Sequence, residues 1–192
     1  DALYELANSY VKASETTKAM QTYERLNKEY PRSAFISKSL LRQGLVHYNS
    51  NDNERALNKF KQVARQYPSS VEAVQAVSTA RLIYIDLGRV DEYARWVRTL
   101  DYVEVTDAEL DNTTYAAAEK QYLDNNNDEA IRQFNKYLNA FPNGIHALKS
   151  HFYLAQQYYK KSLFENAEPH YIYVVDKAKN EYTEQAIVKL SE

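Results

Sequence analysis

Proline falls on a grid in this chain: Pro31 and Pro68 lie 37 residues apart, and Pro142 stands two further intervals along. Ala19, Ala56, Ala130 and Ala167 keep the same 37-residue interval, with Tyr93 in the place of the missing member. Self-similarity at a fixed interval of this size points to units that bury their apolar faces only by stacking on one another. Four residues after each grid alanine stands Tyr23, Phe60, Phe134 or Tyr171, with Val97 in the third interval. Three further on lie Leu26, Val63, Leu100, Tyr137 and Val174, which is a helical spacing. Twelve residues before each alanine is a second small residue, Ala7, Gly44, Ala118 or Ala155, followed by a ring at Tyr10, His47–Tyr48, Tyr122 or Tyr158–Tyr159. Each interval therefore holds two helices. Facing small residues let the two backbones approach, and the ring one turn away fills the space beside that contact.

Composition supports helices and excludes much else. Three Gly and four Pro in 192 residues are too few for a turn-rich β protein. Gly44, Gly88 and Gly144 are too far apart to build a phosphate-cradling loop. With no Cys there are no disulfides, thiolate metal sites or cysteine nucleophiles. A net charge of −2 gives no footprint for nucleic acid, and no apolar run is long enough to cross a bilayer. Ser14, Asp52 and Asn126 or Asn127 are N-cap candidates for the second helices; Ser33, Ser69 and Thr106 are candidates for the first, with capping boxes at Ser69–Glu72 and Thr106–Glu109. Pro169 falls inside the fifth second helix, which must start late or kink.

These motifs resemble the tetratricopeptide repeat. Leu3-x2-Leu6-Ala7-x2-Tyr10, Ala19-x3-Tyr23 and Pro31 reproduce its signature in the first interval; Gly44-x2-His47, Ala56-x3-Phe60 and Pro68 do so in the second. Leu154-Ala155-x2-Tyr158 with Ala167-x3-Tyr171, and Ala117-Ala118 with Ala130-x3-Phe134 and Pro142, carry it onward. The resemblance implies an all-α, right-handed solenoid of about 11 antiparallel helices. Its repeats are 1–32, 33–69, 70–106, 107–143 and 144–180, with a sixth begun at 181–192. The interval exceeds the family's by three residues, so each first helix is expected to run about one turn longer. The junctions Tyr30-Pro31-Arg32-Ser33 and Tyr67-Pro68-Ser69-Ser70 are similar to those of repeat proteins in the bacterial periplasm and at the outer membrane. That likeness implies an envelope location, a cytoplasmic one staying open, and a chain opening at Asp1 without Met reads as part of something longer. The third interval departs, with Arg81 and Tyr93 at the small positions and Val105 for Pro. Its helices are expected to sit wider apart, with a change of superhelix direction over residues 81–106 and a seam at 101–106.

Chemistry is not advertised. His146 and His151, five residues apart, point away from each other on a helix, and His47 replaces a buried-face Tyr. Asp124–Asp128 opens like a calcium loop but has Glu129 where Gly is required and Asn135 where a bidentate Glu should stand. Asp107, Glu109 and Asp111 read as a solvated first turn. No enzyme activity, cofactor or metal is expected.

The resemblance instead implies a concave groove lined by the first helices, holding a protein or peptide segment. Its side chains would be Tyr4 and Asn8 in the first repeat, and Lys38, Arg42, Leu45 and Tyr48 in the second. Tyr115, Glu119 and Tyr122 follow in the fourth, and Phe152, Tyr153, Gln156 and Tyr159 in the fifth. This aromatic, mildly basic lining suits a segment with apolar anchors and some acidic residues. The alternative is a sugar stacked on the same Tyr rings in an outer-membrane lipoprotein. The domain by itself is expected to be a monomer.

Overall fold

A computed structural model describes residues 2–192, which form eleven helices and no strand. They are α1 (Ala2–Lys12), α2 (Thr16–Glu29), α3 (Ile36–Asn49), α4 (Asn53–Gln66), α5 (Val71–Asp86), α6 (Val90–Val97), α7 (Asp107–Leu123), α8 (Asn127–Ala140), α9 (Ala147–Lys160), α10 (Phe164–Val175) and α11 (Thr183–Ser191). They divide into two compact units. Unit 1 comprises the chain up to Ile83 together with Arg95–Glu104; unit 2 comprises Tyr84–Ala94 and Val105–Glu192. In unit 1, α1 packs on α2, α2 on α3 and α3 on α4; in unit 2 the order α7, α8, α9, α10, α11 is likewise a chain of neighbours.

The repeat is written into the backbone at two places. Within each hairpin one residue takes the left-handed conformation: Ser14, Asn51, Gly88, Asn125 and Ser162, all with φ between 58° and 64° and all one interval apart. The following amide then reaches back to close the helix end, as in Glu15 N–H to the Tyr10 carbonyl at 2.9 Å, Asp52 to His47 at 2.9 Å and Arg89 to Tyr84 at 2.8 Å. Between hairpins, Tyr30, Tyr67 and Phe141 end their helices at φ of −130°, −128° and −132°. Each precedes a proline, whose ring pushes the preceding residue out of the α region.

The small residues and rings meet as the spacing requires. Ala7, Ala19, Tyr23, Ala56, Phe60, Ala118, Ala130 and Phe134 are all fully buried. A Cβ built on Gly44 would lie 2.5 Å from Phe60 Cε1, so the ring occupies the space that a side chain would take. In unit 2, Ala118, Ala130, Phe134 and Tyr137 form one cluster, and Phe152, Ala155, Ala167, Tyr171 and Ala186 form the next.

Several expectations change. Glu15, not Ser14, precedes α2, because Ser14 is spent on the left-handed turn. Ser69 is left-handed too, and Ser70 Oγ accepts the Ala73 N–H at 3.0 Å in its stead. Ser33 Oγ accepts from Phe35 N–H, ahead of α3, whose N-cap is Phe35. Asn126 precedes α8 without a side-chain cap, whereas Asp52 and Thr106 do cap α4 and α7. First helices vary in length, from 11 residues in α1 to 14 in α3 and α9, 16 in α5 and 17 in α7. Although Arg81 holds the small position by counting, Ala80 is the fully buried residue there. α10 starts on schedule at Phe164 and keeps Pro169 inside it. Asp111 is buried, not solvated: it accepts the Tyr137 hydroxyl at 2.6 Å and the Ile145 N–H at 3.0 Å, while the Tyr137 oxygen accepts from His146 N–H.

Candidate functional site

Each unit carries a hollow between its first helices. In unit 1, α1, α3 and α5 enclose about 350 Å³ lined by Tyr4, Phe35, Lys38, Leu41, Arg42, Leu45 and Val71, with Glu5 and Glu72 at its sides. Lys38 and Arg42 are one helical turn apart and both exposed, and the Lys38 ammonium lies over the Phe35 ring at 5.3 Å. Tyr4 shows only an edge, being 8% exposed and packed on Phe35 and Tyr23. Asn8 does not line the hollow. Its side-chain oxygen accepts the Tyr23 hydroxyl at 2.5 Å, inside the α1–α2 hairpin, and burial pushes that hydroxyl's pKa up to about 12. Tyr48, half-buried, also lies outside it.

The hollow in unit 2 is larger, about 590 Å³, and draws on four helices: Tyr122 from α7; Phe152, Gln156, Tyr159 and Lys160 from α9; Tyr171 from α10; Glu184, Gln185, Val188 and Lys189 from α11. Phe152 and Tyr171 are nearly buried and form its floor. Tyr122 stacks on Tyr153 with centroids 4.3 Å apart and donates its hydroxyl to Gln156 Oε1 at 2.9 Å. That leaves the Gln156 amide N–H groups available to a partner. The Lys160 ammonium lies over Tyr122 at 5.5 Å, and that of Lys189 over Tyr159 at 4.4 Å. Lys189 also pairs with Glu192, which the Tyr159 hydroxyl joins as a second donor.

Tyr115 and Glu119, expected in the groove, serve the fold instead. Tyr115 is 4% exposed, stacked on His146, and gives its hydroxyl to Glu119 at 2.7 Å. Lys149 joins Glu119 at 2.8 Å, with its ammonium over both Tyr115 and Tyr153. Burial pushes the Glu119 carboxyl up, but the hydrogen bonds from Lys149 and Tyr115 outweigh it and hold the group below the usual carboxylate range. The α11 side chains were not on the expected list. One interval beyond Phe152 falls Lys189, so the grid itself pointed there.

Among the described residues no group of three or more His, Cys, Asp or Glu side chains is placed to hold a metal ion, and no helix is long and apolar enough to cross a membrane. His47 faces Asp52 at 3.6 Å, and burial lowers its pKa against the pull of that carboxylate.

A tetratricopeptide repeat family model matches residues 1–33 and 38–70. Residues 1–70 thus carry two tetratricopeptide repeats. Members of this family are generally non-catalytic scaffolds for protein–protein interaction. Beyond residue 70, the left-handed turns at Gly88, Asn125 and Ser162 carry the repeat interval through the rest of the chain. No curated protein matches the chain. Similar solved structures include a tetratricopeptide repeat protein from Parabacteroides merdae ATCC 43184, at 13% identity and a TM-score of 0.49, covering 99% of this chain and 73% of that one. MamA from residue 41 onward of Desulfovibrio magneticus RS-1 is 14% identical at a TM-score of 0.46, with 96% and 94% covered.

Proposed function

We propose that this tetratricopeptide chain is a non-catalytic scaffold that holds a protein segment in the unit 2 hollow between α7, α9 and α11. The carrying observation is the make-up of that hollow: an apolar floor of Phe152 and Tyr171 with the exposed Val188 beside it, rimmed by the amides of Gln156 and Gln185 and the ammonium of Lys160. Such a lining fits a segment with one or two apolar anchors, whose backbone meets the amides and whose acidic side chains meet the lysine. Among the described residues Lys160 has no carboxylate partner and rests on a ring face, where it is available to an incoming anion. Because the lining is already assembled on packed helices, little ordering cost falls on binding. The unit 1 hollow, with Lys38 and Arg42, offers the same chemistry on a smaller scale.

A sugar is disfavoured by the same geometry. Tyr122 has one face against Tyr153 and a lysine over its ring, and Tyr159 lies under Lys189, so these rings do not offer the bare faces that sugar stacking needs. The Tyr-Pro-x-Ser-like junctions support a place in the bacterial envelope, which fractionation of the source cell would check. Peptide and glycan arrays probed with the wild-type chain and with a Lys160→Glu/Val188→Asp double variant test the groove. Peptide binding that drops at least tenfold in the double variant is expected; glycan binding without peptide binding, or peptide binding that ignores the substitutions, refutes the assignment.

A further inference from the structure

The antiparallel hairpin of α9 and α10 brings together two imidazoles 19 residues apart in sequence. His151 Nδ1 lies 2.7 Å from His170 Nδ1, with ring centroids 4.9 Å apart. Two neutral imidazoles at that distance share one proton, so both δ nitrogens are aimed at the same point. The rings are held from outside. His151 stacks on Tyr173 at 3.7 Å and 19°; His170 lies nearly parallel to Tyr158, whose hydroxyl oxygen accepts from Asn135 Nδ2 at 2.9 Å. Among the described residues neither imidazole pairs with a carboxylate.

We propose that His151 and His170 form a two-imidazole site for a borderline divalent transition ion, Cu(II) foremost, with Ni(II) and Zn(II) behind it. Imidazole nitrogen suits these ions, and among them Cu(II) binds nitrogen donors most tightly. Metal–nitrogen bonds of about 2.0–2.1 Å at near-right or tetrahedral angles set the two nitrogens roughly 3 Å apart, so the pair must open by a few tenths of an ångström and the rings must tilt out of their nearly head-on approach. Both rings would then present a lone pair at Nδ1 and carry their proton at Nε2. The shared proton moves to the donor ring's own Nε2, and none is released. Burial lowers the pKa of both imidazoles, in favour of the neutral rings. The stacking partners fix ring orientation in the way that outer contacts do at metal centres. Lys177, whose ammonium lies over Tyr173 at 4.5 Å and acts on His151, opposes the ion. Together with water completing the coordination sphere, it keeps the affinity below that of a four-ligand structural site.

The test is a calorimetric titration of the whole chain with Cu(II), alongside electron paramagnetic resonance of the loaded protein. One Cu(II) per chain is expected, with hyperfine structure from two imidazole nitrogens, and with affinity reduced at least tenfold in His151→Gln and in His170→Gln but unchanged in His146→Gln. Independently of any variant, the wild-type thermal midpoint should rise with Cu(II) concentration, as for an ion bound by the folded state alone. Affinity unchanged in both Gln variants, a resonance with one nitrogen or none, or a midpoint that Cu(II) leaves still or lowers overturns the site. Should a Gln variant lose its helical circular dichroism, the wild-type nitrogen count decides.

Discussion

Gly44 is held small by Phe60, whose Cε1, Cδ1 and Cζ would stand 2.5, 2.8 and 3.1 Å from an added Cβ. Alanine would be the better helix former by about 1 kcal/mol, but overpacking a filled core costs about 1–3 kcal/mol. Since Phe60 is fully buried, Gly44→Ala is expected to lose up to about 2 kcal/mol net in urea unfolding. Part of that loss should return in the Phe60→Leu background; a stabilised single variant would mean the ring yields freely. This contact was legible because small residue and ring recur at a fixed offset. The burial of Asp111 was not, because its partners lie 26 and 34 residues along, and although Tyr137 stands on the repeat grid, that grid does not say what its hydroxyl meets. His151 escaped for the same reason, and it carries a pH effect. Burial first, then the charges of His170 and Lys177, holds its pKa at about 4 against the usual 6.5. The unfolded chain thus takes up a proton below pH 6.5 that the folded chain refuses until about pH 4. Stability is full above that window and falls as pH drops through it. In metal-free buffer the urea midpoint should decline from pH 7 to 4.5, and more gently in His151→Gln. Parallel declines in the two proteins would remove His151 as the cause.

Among the elements, α10 is the one built against its own sequence. Pro169 sits six positions into Phe164–Val175, where it has no N–H to give the carbonyl one turn earlier. The helix persists because Ala167, Tyr171 and Val174 bury its face against α9 and α11, so packing overrides propensity. Pro169→Ala should therefore stabilise the chain, by about 1–3 kcal/mol after allowing for the freer unfolded state. A thermal midpoint that stays put or falls would show that Pro169 costs this helix nothing. Helix existence was readable from periodicity throughout, whereas helix starts were misplaced by one or two residues. The cause is consistent: Ser14 and Ser69 look like caps but occupy left-handed turn positions, and a lone serine serves either use. Only by aligning Ser14, Asn51, Gly88, Asn125 and Ser162 does the turn declare itself, since each tolerates positive φ for its own reason.

For the whole molecule, the sequence marked the third repeat as irregular, and the division between the two units runs through it, assigning Tyr84–Ala94 to one and Arg95–Glu104 to the other. Nothing in the residue pattern foretold that α5 and α6 would each be split. Long-range ties join the pieces within each unit: Tyr102 gives its hydroxyl to the Ala64 carbonyl at 3.0 Å in unit 1, and in unit 2 Gln133 Nε2 reaches the Gly88 carbonyl at 3.2 Å and Lys136 pairs with Asp91 at 2.8 Å. In stacked repeats stability is a sum of local terms, so loosening one tie should be felt where it acts. Tyr102→Phe removes one hydrogen bond, worth about 0.5–1.5 kcal/mol. Native-state hydrogen exchange should then quicken in α3, α4 and residues 95–104 while α7 to α10 hold their protection. Equal acceleration in both sets of helices would mean that the chain opens as one cooperative body, and that the two units are a division of contacts without a counterpart in folding energy.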